Sequence, residues 1–317
     1  MRHSSLALAL MLGLSACATP AHDNPAPDTS TASAAAAPMR WPDLLERPRP
    51  TGGITIAYGS DPLQVGDLWL PASPAHHPIP VILMVHGGCW QTDIADRSIM
   101  DWIAADLAAR GIAVWNIDYR GVDRPGGGYP GTYADVAAAV DLLRTIAPAH
   151  GLATDRIVAL GHSAGGHLAL WAAARPRLPQ GRALAGGNPL PIATVIATGA
   201  LPDIEAALAL ENNSCTQSAM PALTGASSPG RPDVFADTSI PRLLPLSVRQ
   251  IFISSAQDRI APPSLAASYA ARAAAAGETV ERLAIAHEGH VELIAPGTRA
   301  WEATLEIIRR EFGLKAE

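Results

Sequence analysis

Lysine is almost missing from this chain: of 317 residues only Lys315 is one, close to the C-terminal end. That excludes a serine–lysine pair, a Schiff-base lysine and a phosphate-loop lysine. Clustered basic charge is missing as well. The formal net charge is −6, and it becomes −7 without residues 1–16, which carry Arg2 and no acid. Neither balance suits a nucleic-acid or anionic-membrane partner. The apolar stretch at 6–14 is too short to span a bilayer. There are three cysteines, no internal repeat and, past residue 40, no further linker. What is present is 48% hydrophobic residues, enough for one large buried core.

The first residues have the order of an export signal: a basic start, the apolar stretch at 6–14, then small residues. Leu14-Ser15-Ala16-Cys17 resembles the lipobox of bacterial lipoproteins. That resemblance implies cleavage after residue 16 and lipidation of Cys17. Ala18 in the next position points to an outer-membrane address facing the periplasm. Residues 17–40 are rich in Ala, Pro, Ser and Thr and read as a tether, so the folded domain is expected over 41–317.

Two extended runs, 54–58 and 65–70, look like an antiparallel pair. Strands then alternate with helices: strands at 81–85, 112–117, 156–160 and 192–198, helices at 98–110, 133–147 and 164–174. Strands at 250–254 and 280–286 and a helix at 299–312 close the chain. This alternation predicts an α/β fold, a mostly parallel sheet with helices on both faces. Residues 201–248, rich in Pro, Gly and Ser around a short helix at 204–210, read as a lid-like insertion.

Gly161-His162-Ser163-Ala164-Gly165 joins a strand to a helix with almost no connection. A turn that sharp needs glycines where side chains would clash, and it exposes the Ser163 hydroxyl beside a helix N-terminus as a nucleophile elbow. Such a serine needs a base, an orienting acid and an oxyanion site. In the order Ser, acid, His, the candidates are Asp258 in SSAQDRIAPP and His290 in HEGHVELIAP, both past strand ends. Asp203 is the rival acid, and Asp258 is preferred for its loop. His287 and His290 form a His-x-x-His pair whose spacing does not suit a helical zinc site and which lacks a third ligand, so no metal and no cofactor are expected. In VHGGCW, Gly88 and Cys89 would supply oxyanion donors, with Ala164 as a third.

With these pieces assembled, the chain from about residue 50 onward resembles α/β-hydrolases of the esterase and kynurenine formamidase (arylformamidase) type. The resemblance rests on His86 to Trp90 as His-Gly-Gly-x-Trp, on GHSAGGHLA, QDRIAPP and EGHVELIAP, and on the stretch at 119–136. Val291 stands where this group often has phenylalanine after the histidine. The resemblance implies an α/β-hydrolase fold and a serine esterase acting through an acyl-enzyme on a small-molecule ester, with Ser163 as nucleophile, His290 as base and Asp258 as its acid. Arylformamidase, peptidase and non-enzymatic binding lipoprotein are the other readings. In an exported chain Cys89 and Cys215 form an even pair once Cys17 is acylated, so a bridge tying the oxyanion loop to the insertion is expected.

Overall fold

The computed structural model describes residues 37–210 and 214–315. Cys17, the signal segment and most of the tether lie outside the described residues.

Among the described residues eight strands form one sheet: β1 (Ile54–Ala57), β2 (Val65–Trp69), β3 (Val81–Val85), β4 (Ala113–Ile117), β5 (Val158–His162), β6 (Thr194–Thr198), β7 (Arg249–Ser255) and β8 (Val280–Ile285). Their order is β1-β2-β4-β3-β5-β6-β7-β8, antiparallel through β2–β4 and parallel from there on. Every residue of β3, β4, β5 and β6 is buried, because helices cover both faces of the sheet. On one face α3 (Gly131–His150), α4 (Ala164–Ala174) and α7 (Pro263–Ala275) pack with Val81, Leu83 and Val85. On the other, α2 (Asp101–Ala109) and α8 (Arg299–Phe312) pack with Ile82 and Met84. Successive β3 side chains thus serve opposite cores, as the two-residue strand period dictates.

Several expected boundaries move. The elbow strand runs over Val158–His162, two residues later than 156–160, because Gly161 and His162 continue the ladder against Ala197 and Thr198. Glycine weakens a strand but does not end one that is paired. The helix α7 goes unread in the sequence, since Pro262 and Pro263 look like a loop; Pro263 instead occupies the first helical turn, where its missing N–H costs nothing.

The insertion is more ordered than its composition suggests. It holds α5 (Ile204–Leu208) and α6 (Ser214–Thr224), the latter with Pro221 inside it. Arg231 clamps it by donating Nε–H to Asp237 Oδ1 (3.0 Å) and Nη1–H to the Thr224 carbonyl (2.6 Å). The same guanidinium lies 3.6 Å from the Tyr129 ring centre, and the Tyr129 hydroxyl donates to Asp237 Oδ2 (2.8 Å).

The insertion also docks on α4. Trp171 Nε1–H donates to the Asp237 carbonyl (3.0 Å), and His167 Nε2–H to the Thr238 carbonyl (2.7 Å). Burial lowers the His167 pKa to about 4. A base whose folded pKa lies below its unfolded value near 6.5 is protonated more readily in the unfolded chain, so its stabilising contribution is complete above about pH 6.5 and is lost as pH falls toward about 4. We expect stability to fall by about 2–4 kcal/mol across that window from this group alone. Thermal melts of wild type and His167→Gln from pH 7 to 4 check this: the variant's curve is flatter, and parallel curves would count against it.

Candidate active site

Ser163 sits between β5 and α4 with φ 55° and ψ −121°, a conformation non-glycine residues rarely hold. Its N–H donates to the Thr198 carbonyl (2.9 Å) and its carbonyl accepts from Gly166 N–H (2.9 Å). The flanking glycines are there for space. A Cβ on Gly161 would come 2.3 Å from the Gly165 carbonyl oxygen, and one on Gly165 would come 2.1 Å from that of Val85. Neither contact can be relieved by a side-chain rotation.

His290 is buried on the loop after β8, and its Nδ1–H donates to Asp258 Oδ2 at 2.6 Å. The other oxygen, Oδ1, accepts the N–H groups of Ile260 and Ala261, both at 2.8 Å. A carboxylate held at both oxygens has one orientation, and so has the imidazole it holds. Gly199, with φ 51°, leaves the room: a Cβ there would lie 3.1 Å from both Asp258 Oδ2 and His290 Cε1. Asp203 is occupied elsewhere, capping α5 through Ala206 N–H (3.0 Å) and pairing with Arg272 Nη1 (2.5 Å). His287 is exposed, and among the described residues no group of three or more His, Cys, Asp and Glu side chains could hold a metal ion.

Ser163, His290, Gly88 and Cys89 line one cavity of about 320 Å³, and Ala164 opens α4, where first-turn N–H groups have no helical partner. Gly88 (φ 108°), Cys89 (φ 53°) and Trp90 (φ 57°) are consecutive positive-φ residues, and Gln91 N–H closes their turn on the Gly88 carbonyl (2.8 Å). A Cβ on Gly87 would lie 3.0 Å from that of Ser163, so the loop rests directly on the serine. The loop is braced from behind. His86 Nε2 meets Asp118 Oδ1 at 3.0 Å, Asp118 Oδ2 accepts from Arg97 Nη1 (2.9 Å), and Arg97 Nε–H donates to Asp67 Oδ2 (2.7 Å). His162 backs the site by donating Nε2–H to the His290 carbonyl (3.2 Å). Burial, and then electrostatic interaction with the neighbouring His290, holds the His162 pKa well below the usual histidine range, so this imidazole is neutral.

Sequence reasoning misses the cavity's outer wall. No described residue of 201–248 lines it; the wall is the short helix α1 (Trp41–Leu45), with Trp41 edge-on to both His162 and His290 at 6.3 Å between ring centres. Glu292, buried, ties this wall to the histidine loop: Oε1 accepts Met39 N–H (2.6 Å) and Oε2 accepts Gly289 N–H (3.0 Å). The insertion, expected as a lid over the site, reaches it through a covalent bond instead. Asp237 and Thr238 dock the insertion on α4, and Cys215 of α6 is bonded to Cys89, with Cα atoms 5.0 Å apart. A link across 126 residues restrains the unfolded chain strongly, by about 2–4 kcal/mol in typical proteins. Reduction is expected to lower Tm by about 5–10 °C and to slow turnover. Melting curves and rates with and without reductant measure both, and unchanged values would deny the bond any role.

A family model matches residues 67–239, more than half of the chain, and it describes the BD-FAE family. The chain belongs to that family. The matched span holds the His86 loop and Ser163, while Asp258 and His290 fall beyond it. Esterase LipC of Mycobacterium tuberculosis is 30% identical over 152 residues, 45% of this chain and 37% of that protein. A probable isoprenylcysteine α-carbonyl methylesterase of Oryza sativa is 32% identical over 115 residues, 36% of this chain and 27% of that protein. The matches thus span well under half the length of these relatives. Among solved structures, esterase B from Lactobacillus rhamnosis superposes with a TM-score of 0.70 at 20% identity, covering 82% of this chain and 84% of that one. A truncated carbohydrate esterase from gut microbiota gives 0.64 at 20% identity, covering 83% and 96%. At such identities the likeness establishes the fold, an α/β-hydrolase fold.

Proposed function

We infer that this protein hydrolyses carboxylic esters through an acyl-enzyme on Ser163. The observation that carries the reading is that His290, held by Asp258, shares a cavity with a strained elbow serine and a positive-φ loop. His290 takes the Ser163 proton as the hydroxyl oxygen attacks the acyl carbonyl. Asp258 keeps Nε2 turned toward the serine and stabilises the imidazolium. Backbone N–H groups of Gly88, Cys89 and Ala164 receive the oxyanion, the alcohol departs with the proton from His290, and water repeats the sequence on the acyl-enzyme. Leu45, Ile94, Ala95, Ile99 and Ile260 line the cavity, whose size fits a short apolar acyl chain. The esterase names of the relatives agree with this reading.

A fluorophosphonate probe is expected to label Ser163 and no other residue, mapped by peptide mass spectrometry. Aryl esters of graded acyl length, with an N-formyl anilide beside them, then rank the substrates. Short acyl esters are expected above the anilide, and the reverse order would favour a formamidase. Absence of labelling on Ser163 would refute the serine mechanism.

We also read the N-terminus as an export signal with lipid attachment at Cys17, placing the domain at the outer membrane on the periplasmic side. The Cys89–Cys215 bond agrees with an oxidising compartment. Cys17→Ser is expected to move the protein from the membrane to the soluble fraction; unchanged sedimentation would contradict the anchor.

A further inference from the structure

Two cavities meet at His290. The first, of about 320 Å³, contains Ser163, Gly88 and Cys89. The second, open and about 680 Å³, is lined by Asp258 and His290 but by neither the serine nor the oxyanion loop. Trp41, Ile260 and His290 line both. On the esterase reading above, the carbonyl must sit where nucleophile and oxyanion donors converge, in the first cavity. The general acid passes its proton to the departing oxygen, so that oxygen meets the imidazole, and the second cavity, which adjoins the first at this imidazole, offers room for the group the oxygen carries.

That second groove has a definite chemistry. Pro38, Met39 and Val291 give it apolar walls, and its two cationic side chains are Arg40 and Arg259. Its only carboxylate among the described residues, Asp258, is buried and fully engaged with His290 Nδ1–H and two backbone N–H groups. Arg259 is exposed and pairs with no carboxylate among the described residues, while the Arg40 guanidinium, four-fifths exposed, makes only a loose 3.7 Å contact with Asp43, whose other oxygen accepts the Arg40 backbone N–H (2.7 Å). The wall that carries Arg40 is fixed, because Glu292 joins Met39 N–H to the histidine loop. Among the described residues neither arginine side chain has a close ion pair, whereas Asp258 and Glu292 are each held by hydrogen bonds, so an anion over the apolar walls of this groove meets two available guanidinium groups. The geometry points to a leaving-group subsite for an alcohol with an apolar body and a negative charge, such as a carboxylate, which Arg40 and Arg259 bind.

The test uses two butyrate esters of matched size, 3-carboxyphenyl and 3-carbamoylphenyl, and reads the ratio of their kcat/KM values, which is independent of how much enzyme is folded. Wild type is expected to favour the carboxylate ester by about fivefold, the scale of solvent-exposed ion pairs, with the difference in KM and shrinking in high salt. Arg40→Gln with Arg259→Gln is expected to bring the ratio to that of the uncatalysed reactions. A wild-type ratio equal to the uncatalysed one, or a preference that survives the double substitution, would overturn the subsite while leaving the esterase reading intact. If wild type cleaves neither ester, nor any in the graded panel, both fall.

Discussion

Ser163→Ala is expected to lower ester hydrolysis by at least about a thousandfold with no loss of fold. The side chain contributes one oxygen, and Cβ remains where the corner already accommodates it. What is left is the rate that an oxyanion site and binding alone sustain, since attack must then come from water directly. Ser163→Gly separates chemistry from stability. At φ 55° a Cβ is strained by about 1–3 kcal/mol, and glycine relieves that while also lacking the hydroxyl. The glycine variant should be as inactive as the alanine one yet melt at a higher temperature than it. Steady-state rates and melting curves of the two variants decide the matter. Activity above about a thousandth of wild type in either would remove Ser163 from the nucleophile's role.

Asp258→Asn is expected to lower kcat by about a thousandfold to ten-thousandfold, with little change in KM. The 2.6 Å bond from His290 Nδ1–H fixes which ring nitrogen is free to take the serine proton. An amide in that place removes the charge that stabilises the imidazolium, and by offering N–H toward Nδ1 it favours the wrong tautomer. Asp203→Asn is the control, because Asp203 is equally buried but spends its oxygens on the α5 cap and Arg272. Asparagine still caps α5, so the loss is confined to the half-exposed ion pair with Arg272, about 1 kcal/mol of stability at most, with little change in rate. If Asp203→Asn were the slow enzyme and Asp258→Asn the mild one, the acid would have to be reassigned.

The relation between these two aspartates shows how far the sequence reaches. Ser163, Asp258 and His290 stand out as candidates because each lies just past a strand, and strand period, helix spacing and turn glycines are properties of neighbouring residues. The same locality places β3, α4 and α8 within a residue or so of their expected ranges. Local signals falter where proline or alanine is read one-sidedly, as in α6 and α7, whose buried faces supply what composition does not.

The preference for Asp258 over Asp203 rests on loop context in the sequence, whereas the hydrogen-bond partners that separate them belong to the folded chain. Trp41 and Glu292 carry no local signal at all. Residues 39 and 292 meet across 253 positions although β1 and β8 are opposite edges of the sheet, because the segment ahead of β1 lies against the loop after β8. The alternation of elements, the two-sided burial of the central strands and the corner that holds Ser163 are written locally in the chain, since each follows from periodicity and steric limits acting over a few residues. Folding alone settled which groups face one another around that corner. It bonded Cys89 to Cys215, laid α1 rather than the insertion along the cavity and divided the space at His290 in two, because such contacts depend on sheet order and on what remains unburied once the core is packed.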